Sequence, residues 1–481
     1  MHSSNTSPAR AGRSGTRWAL VSVLSANMLV DALEVSATVV ALPRIGDGLG
    51  LQVPGLQWVV SAFAAGFGAL VLLGGRLVER LGRRRVYLAA LLLFAAASLA
   101  GALTDSAAVL IATRAVKGGC VALTAPTGLA ILVSAVPDGP ARRRAVSLYS
   151  FFGAAGFCAG LLLSGLLTGV GWRWTLAFPA PVALLLLAAG LRLVPRDGPA
   201  PRPAVRATRL ALVAGPALAA AVALLLYGLS CAVGAGREPA RAGAAFAGAL
   251  LSGTVFVAAE RASPRPLVAA GLLRHAPLVR SAIGAATLNG SYVAFLLVAS
   301  LDLHRAGSTP WQTALAFLPA GAPLAVSALY SARIALRLGP ARAVAAGAVA
   351  APLGYALYPR AGPPGGAGFA DLLPATGCVG AAFVLAFTAL HLQATGGLPP
   401  EHRQPAGALY QTCVQLGAAL TAVPVAALYP ADRGAALALV TAVGLTGAGV
   451  ALGALTGRNR LPHLPAPGRT GTPVRPERKA S

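Results

Sequence analysis

Two carboxylates, Asp31 and Glu34, stand inside the first long apolar run, LSANMLVDALEVSATVVALP. Residues three apart share one helix face, so both acids project the same way. An ionisable group at the centre of a membrane helix costs roughly 2.5–3.5 kcal/mol on insertion scales. Such groups face a bundle interior or a water-filled cavity and mark ion or substrate pathways. The pair therefore reads as a proton or cation site. The competing reading leaves Asp31 solvated near the helix end. Two cations repeat the spacing in IATRAVKGGCVAL, where Arg114 and Lys117 share one face. For Lys117 the competing reading is a side chain snorkelling to an interface.

The elements that carry these groups are set by composition. Hydrophobic residues make up 56% of the chain and charged residues 11%, against roughly 25% charged in soluble proteins. Mean hydropathy is +0.71. Apolar stretches long enough to span a bilayer as helices recur to the C-terminus, whereas a strand barrel would show short alternating segments. The chain is thus expected to be an all-α polytopic membrane protein. Its net charge of +25 does not point to nucleic acid, because the arginines lie in short clusters between spans with no interleaved aromatic platform. Cys120, Cys158, Cys231, Cys378 and Cys413 form neither metal-ligand spacing nor a disulfide framework. No cleavable signal peptide is visible, no GxxxxGK[ST] nucleotide loop occurs, and no metal or cofactor is expected.

Fourteen spans are predicted: 18–43, 55–78, 86–104, 107–136, 146–170, 174–194, 209–233, 242–259, 279–301, 312–332, 341–358, 371–394, 407–429 and 434–456. Arg and Lys cluster in alternate connections, such as Arg76–Arg85, Arg142–Arg144, Arg192–Arg209, Arg261–Arg280 and Arg333–Arg342. The intervening connections carry singles such as Arg44, Arg173 and Arg305, or pairs such as Arg237 and Arg241. The positive-inside rule then puts both termini in the cytoplasm. The predicted segments are a cytoplasmic tail (1–17), six spans (18–194), a linker with two additional spans (195–259), six further spans (260–456) and a disordered tail (457–481).

The connection after the second span reads GGRLVERLGRRRVYL. Gly75, Glu79, Arg80, Gly82, Arg83 and Arg84 fit the pattern G-x-L-x-[DE]-R-x-G-R-[RK]. Gly75 would permit close helix approach, Gly82 a tight turn, and Glu79 an ion pair that latches the cytoplasmic end. This loop resembles the signature of the major facilitator superfamily, with Glu79 where Asp is commoner. Fourteen spans make the chain similar to the fourteen-helix drug:proton antiporter branch. LEVSATVVALPRI resembles that branch's first-helix motif, with Glu34 as the motif acid nine residues before Pro43 and Asp31 as an extra carboxylate. The branch's usual Asn is replaced by Val39. GLQWVVSAF, with Trp58 and with Phe63 where Tyr is usual, looks like the start of the second helix. Arg114 and Gly118 fit R-x-x-Q-G, with Lys117 in place of Gln. Gly156, Gly160 and Gly165 retain part of the antiporter motif on the fifth span, in which Leu161 replaces Pro and Ser164 replaces Gly. WRWTLAFPAP resembles the opening of the sixth.

The resemblance implies a major facilitator fold, two six-helix bundles plus two extra helices, rocking about a midplane site. It implies no enzyme and no cofactor. It implies proton-driven export of lipophilic or amphipathic small molecules, such as a drug or antibiotic, across the bacterial plasma membrane by a monomer. Helices of the first bundle then line the central cavity, so Arg114 and Lys117 are expected to face Asp31 and Glu34, which bind the coupling proton. Candidate cavity groups are Trp58, Phe63, Asn289, Tyr292, His391, Tyr410, Gln411 and Gln415, with a packing hydrogen bond the favoured reading for each of those in the second half. Asp302 and Asp371 are expected to be solvated at outer helix ends. The alternatives are a symporter or facilitator for a small metabolite and, in another class, a membrane-embedded enzyme or sensor. An enzyme would need acids or histidines grouped outside the membrane, where only scattered singles such as Asp47, Asp105 and His304 occur.

Overall fold

The computed structural model describes residues 8–197, 205–233, 238–264, 266–358 and 372–456, and their regular structure is entirely helical. Among them, twelve helices are long and apolar enough to cross a bilayer, with a shorter apolar stretch at Arg342–Leu357. The N-terminal helices are α1 (Pro8–Leu49), α2 (Trp58–Leu81), α3 (Arg83–Leu103), α4 (Ala107–Ala135), α5 (Pro140–Val170) and α6 (Trp172–Leu193). They are followed by α7 (Val205–Val233), α8 (Pro239–Ala262), α9 (Ala276–Arg305), α10 (Pro310–Leu357), α11 (Leu373–Thr395), α12 (Pro400–Leu428) and α13 (Arg433–Thr456). Helix α1 begins ten residues earlier than expected, so part of the anticipated tail 1–17 is helical. Residues 1–7, the tail 457–481 and Asp371 lie outside the described residues.

In the first half α1 packs along α5, α2 along α4, and α3 against α4 and α6. In the second half α9 lies against α12 and α13, and α10 against α11 and α13. Helices α7 and α8 pair with each other, and α7 rests on α2 and α12. The two halves meet where α5 packs on α10, α2 on α12 and α1 on α9. Side-chain bonds fasten these seams. Ser300 Oγ donates to Val39 O at 2.9 Å, and Thr412 Oγ1 donates to Gly68 O at 2.9 Å.

One expectation needs correction. The predicted break at 333–340 is absent, and helical backbone runs from Pro310 to Leu357. This run is nevertheless not a straight rod. A methyl group on Gly380 would fall on the carbonyl oxygens of Pro319 and Ala320, while one on Gly354 would meet the Ala375 carbonyl and the Cys378 and Val379 side chains. The six-residue stretch 375–380 of α11 therefore touches Ala320 at one end and Gly354 at the other, which places those two within about 20 Å of each other, whereas a straight helix would separate them by about 51 Å. The run turns back on itself between these points, and its two arms flank α11.

Candidate functional site

The charged site forms where α1 and α4 run antiparallel. On α1, Leu24, Asn27, Asp31 and Glu34 recur at the three- and four-residue spacing of one helix face. On α4, Arg114, Lys117, Thr124 and Gly128 do the same. Glu34 is 2% exposed. Its Oε1 pairs with Arg114 Nη1, and its Oε2 lies 2.7 Å from Lys117 Nζ. Both carboxylate oxygens are thus engaged by cations. Arg114 also donates from Nε to Val59 O at 3.0 Å. Its guanidinium lies 4.8 Å from the Phe63 ring centroid, and the Lys117 ammonium lies 4.9 Å from that of Phe94. Aromatic faces attract desolvated cations, so the walls of the site complement its charge.

Asp31 is handled differently. Its Oδ2 accepts from Asn27 Nδ2 at 2.9 Å and from Thr124 Oγ1 at 2.8 Å. Among the described residues no cation lies within ion-pair distance of it. The expected double pairing is therefore corrected: both cations serve Glu34, and Asp31 has neutral donors. The cause is register. Asp31 lies one turn before Glu34, opposite Thr124 rather than Lys117.

Close backbone approach makes this geometry possible. Gly66 on α2 lies against the Ala115 carbonyl and Gly118 on α4 against the Phe63 carbonyl, where any side chain would collide with backbone. Small residues let membrane helices approach in this way. The approach brings Phe63 and Val59 onto Arg114.

In the α2–α3 connection, Gly82 adopts φ +88, a left-handed conformation that glycine tolerates. Gly75 does not play its expected role, since a side chain there would meet open space. Glu79 pairs with Arg76 of its own helix at 3.0 Å. It is exposed, as are Arg80 and Arg83. The residue missed from sequence is Asp197. Its carboxylate accepts from the backbone N–H groups of Arg83 and Arg84 at 3.2 and 3.1 Å, an anion on the positive end of α3. Arg84 reaches Leu191 O at 2.5 Å, tying the same loop to α6.

The α5 glycines divide between two partners. Gly156 and Gly160 lie against Leu29 and Leu33 of α1, while Gly165 lies against Pro310, Trp311 and Ala314 of α10. Leu161 is fully buried. Among the cavity candidates, Phe63 belongs to the charged site. Trp58 packs instead at the seam of α2, α7 and α12. Asn289 donates to Val414 O at 3.1 Å, a packing bond. Tyr292 bridges Phe157 and Phe383, with centroids 6.5 and 4.9 Å away. From Phe383 the aromatic wall continues through Phe387 to Tyr410 and His391. Tyr410 is fully buried and donates to Phe387 O at 3.3 Å. Gln411 and Gln415 are half-buried.

A second charged cluster was misread from sequence. Asp302 is 1% exposed rather than solvated. It accepts from Tyr358 Oη at 2.7 Å, from Tyr429 Oη at 2.6 Å and from Arg433 Nε at 2.9–3.0 Å. This clamp joins α9 to the ends of α10, α12 and α13. Removing one partner of a buried ion pair costs about 3–5 kcal/mol. Asp302→Ala is therefore expected to lower the thermal unfolding midpoint clearly, measured on purified protein in detergent. An unchanged midpoint would mean that the cluster adds nothing to stability.

Comparison with known proteins agrees with this architecture. The model of the Major Facilitator Superfamily matches residues 24–422. The puromycin resistance protein pur8 of Streptomyces alboniger is 32% identical over 84% of this chain and 80% of its own length. The cephamycin export protein CmcT of Amycolatopsis lactamdurans is 33% identical over 70% of this chain and 69% of its own. The multidrug efflux pump LfrA of Mycolicibacterium smegmatis is 29% identical over 71% and 68%. Among solved structures, a peptide transporter POT superposes with a TM-score of 0.66 at 16% identity, covering 90% of this chain and 93% of its own, which speaks to the fold alone. A family match that spans most of the chain, on a helical membrane fold with buried charge between its helices, identifies this multi-pass protein as a member of the major facilitator superfamily of transporters.

Proposed function

We propose that this transporter exports amphipathic, drug-like molecules across the bacterial plasma membrane in exchange for protons. The observation that carries the reading is the buried Glu34–Arg114–Lys117 group. Charge of this kind inside a bilayer is retained where an ion or substrate passes. Asp31 and Glu34 are the coupling acids in this reading, and the two cations adjust them. Three relatives named for drug resistance, export or efflux support the direction and the cargo class. The aromatic wall from Phe157 to Tyr410 suits a flat apolar cargo, with the half-buried amides of Gln411 and Gln415 as polar contacts.

The folded-back run at 310–357 supports a count of fourteen spans, because its two arms cross alongside α11. With that count both termini are cytoplasmic, in line with the arginine distribution. The bundles 18–194 and 260–456 would then rock about the seams α5–α10 and α2–α12, carrying α7 and α8 from segment 195–259, as a monomer. Glu79, Arg80, Gly82, Arg83 and Arg84 would gate the cytoplasmic end, steadied by Asp197.

The test uses inside-out vesicles with an acidic lumen and puromycin as the first cargo. Accumulation that collapses with a protonophore is the expected result. Loss of cargo from acid-lumen vesicles, or uptake indifferent to the protonophore, would favour a symporter or facilitator. The replacement of the motif Pro by Leu161 leaves α5 an unbroken helix, which is expected to slow switching rather than reverse its direction.

A further inference from the structure

We propose that Asp31, rather than Glu34, exchanges a proton with solvent, and that the α1–α4 seam beyond Asn27, reaching the hydroxyls of Tyr87 and Tyr149, is its path to the arginine-rich end. This rests on the transport reading for its purpose, but not for its chemistry.

The two acids differ in what remains open to them. Glu34 has both oxygens on cations, so its proton could arrive only by breaking an ion pair. Asp31 uses Oδ2 for both of its bonds. Its Oδ1 has no hydrogen bond among the described residues, and it is not among the sealed, unpartnered atoms of the interior. One oxygen is therefore uncommitted and can take up a proton.

The next polar groups lie in a line along the same seam. Asn27 is 1% exposed and its Oδ1 has no hydrogen-bond partner among the described residues; the same holds for the hydroxyl of Tyr87, which is fully buried. Buried polar groups without a protein partner are ordinarily satisfied by ordered water. Tyr149 Oη donates to Ala125 O at 2.6 Å, which leaves its oxygen free to accept. Gly128 on α4 marks where these elements converge. A methyl there would lie 3.4 Å from Tyr149 Oη, 3.6 Å from the Tyr87 ring and 3.8 Å from Leu24. Leu24 lies two turns before Asp31, about 10 Å along α1, the distance the proposed path has to cover. Tyr87 stands one turn inside α3 from Arg83, at the end that carries the basic loop. Asp31 thus connects toward that end, whereas Glu34 and Arg114 lie on the opposite side of it, beside Val59 at the start of α2.

The charged and titratable groups facing Asp31 are few. Glu34 lies on its own helix. Lys117 and Cys120 lie on α4, Tyr87 on α3 and Tyr149 on α5. Lys117 is committed to Glu34. The step itself is simple: the O–H bond of protonated Asp31 breaks, the proton passes to water and moves outward along the seam, and a carboxylate remains.

The experiment uses the full chain in lipid nanodiscs, a pH jump and time-resolved infrared detection of the protonated-carboxyl C=O band. The band is expected in the wild type and lost in Asp31→Asn. Tyr87→Phe should keep the band and the thermal midpoint but slow its appearance about tenfold, an added barrier of about 1.4 kcal/mol. Asn27→Leu should slow it likewise. A band that survives Asp31→Asn, or a wild type without one, overturns the assignment. Wild-type rates in both Tyr87→Phe and Asn27→Leu overturn the path. Neither cargo nor gradient is needed, so failure of proton-driven export in vesicles would be a separate result.

Discussion

Glu34→Gln protein is expected to reach the membrane and to lose driven transport, with flux down about 100-fold or more. Glutamine keeps the shape of the side chain but cannot ionise. Arg114 and Lys117 would then sit buried beside an amide, two cations without counter-charge. Breaking a buried pair in this way costs about 3–5 kcal/mol. If the bundle must pass through a state that depends on the pair, that cost corresponds to a rate loss of about two to four orders of magnitude. The measurement is protonophore-sensitive cargo accumulation in acid-lumen vesicles, with membrane insertion checked separately. Asp31→Asn makes the contrast. It leaves the Glu34 pair intact, so cargo should still exchange down its own gradient while uphill accumulation disappears. Normal concentrative transport by Glu34→Gln would remove Glu34 from coupling.

The contrast between these two acids also shows how far the sequence could be read. That acids on the first span face cations on the fourth was expected from the penalty on unpaired charge in hydrocarbon together with the family resemblance, which puts both helices at the central cavity. Which acid meets which cation was not legible. It depends on the register of α1 against α4, set by contacts such as Gly118 on the Phe63 backbone and Gly66 on the Ala115 backbone. Asp302 was misread for a related reason. Its position near a helix end suggested water, but Tyr358, Tyr429 and Arg433 arrive there from distant parts of the chain. Gly75 was assigned to packing by its place in a motif, yet it lies at the surface. The run at 310–357 was read as two spans, 312–332 and 341–358. The backbone stays helical where a loop was expected. Asp197 carried no motif, and only the position of the α3 N-terminus reveals its purpose.

Arg114→Ala is expected to be far more damaging than Lys117→Gln, although both remove one positive charge. The difference lies in what each cation holds. Arg114 pairs with Glu34, donates to Val59 O and stacks on Phe63, so it fixes the start of α2 against α4 as well as neutralising the acid. Alanine would remove the second donor to Val59 O and leave one Glu34 oxygen without its cation in a buried space, a loss of about 3–5 kcal/mol. Among the described residues Lys117 holds only Glu34 and the Phe94 face. Glutamine there can still donate to Glu34 from its amide, and Arg114 remains to balance the carboxylate. A net hydrogen bond of this kind is worth about 0.5–1.5 kcal/mol, so Lys117→Gln should retain transport within about tenfold of wild type. Arg114→Ala should lose at least about 100-fold, the same scale as Glu34→Gln, because both variants break the same pair. Cargo accumulation per inserted molecule, measured in the same vesicles, ranks the variants directly. Wild-type activity in Arg114→Ala would sink the charge pairing as the core of the mechanism, and equal damage in both variants would show that net charge, rather than the bonds Arg114 makes, governs the site.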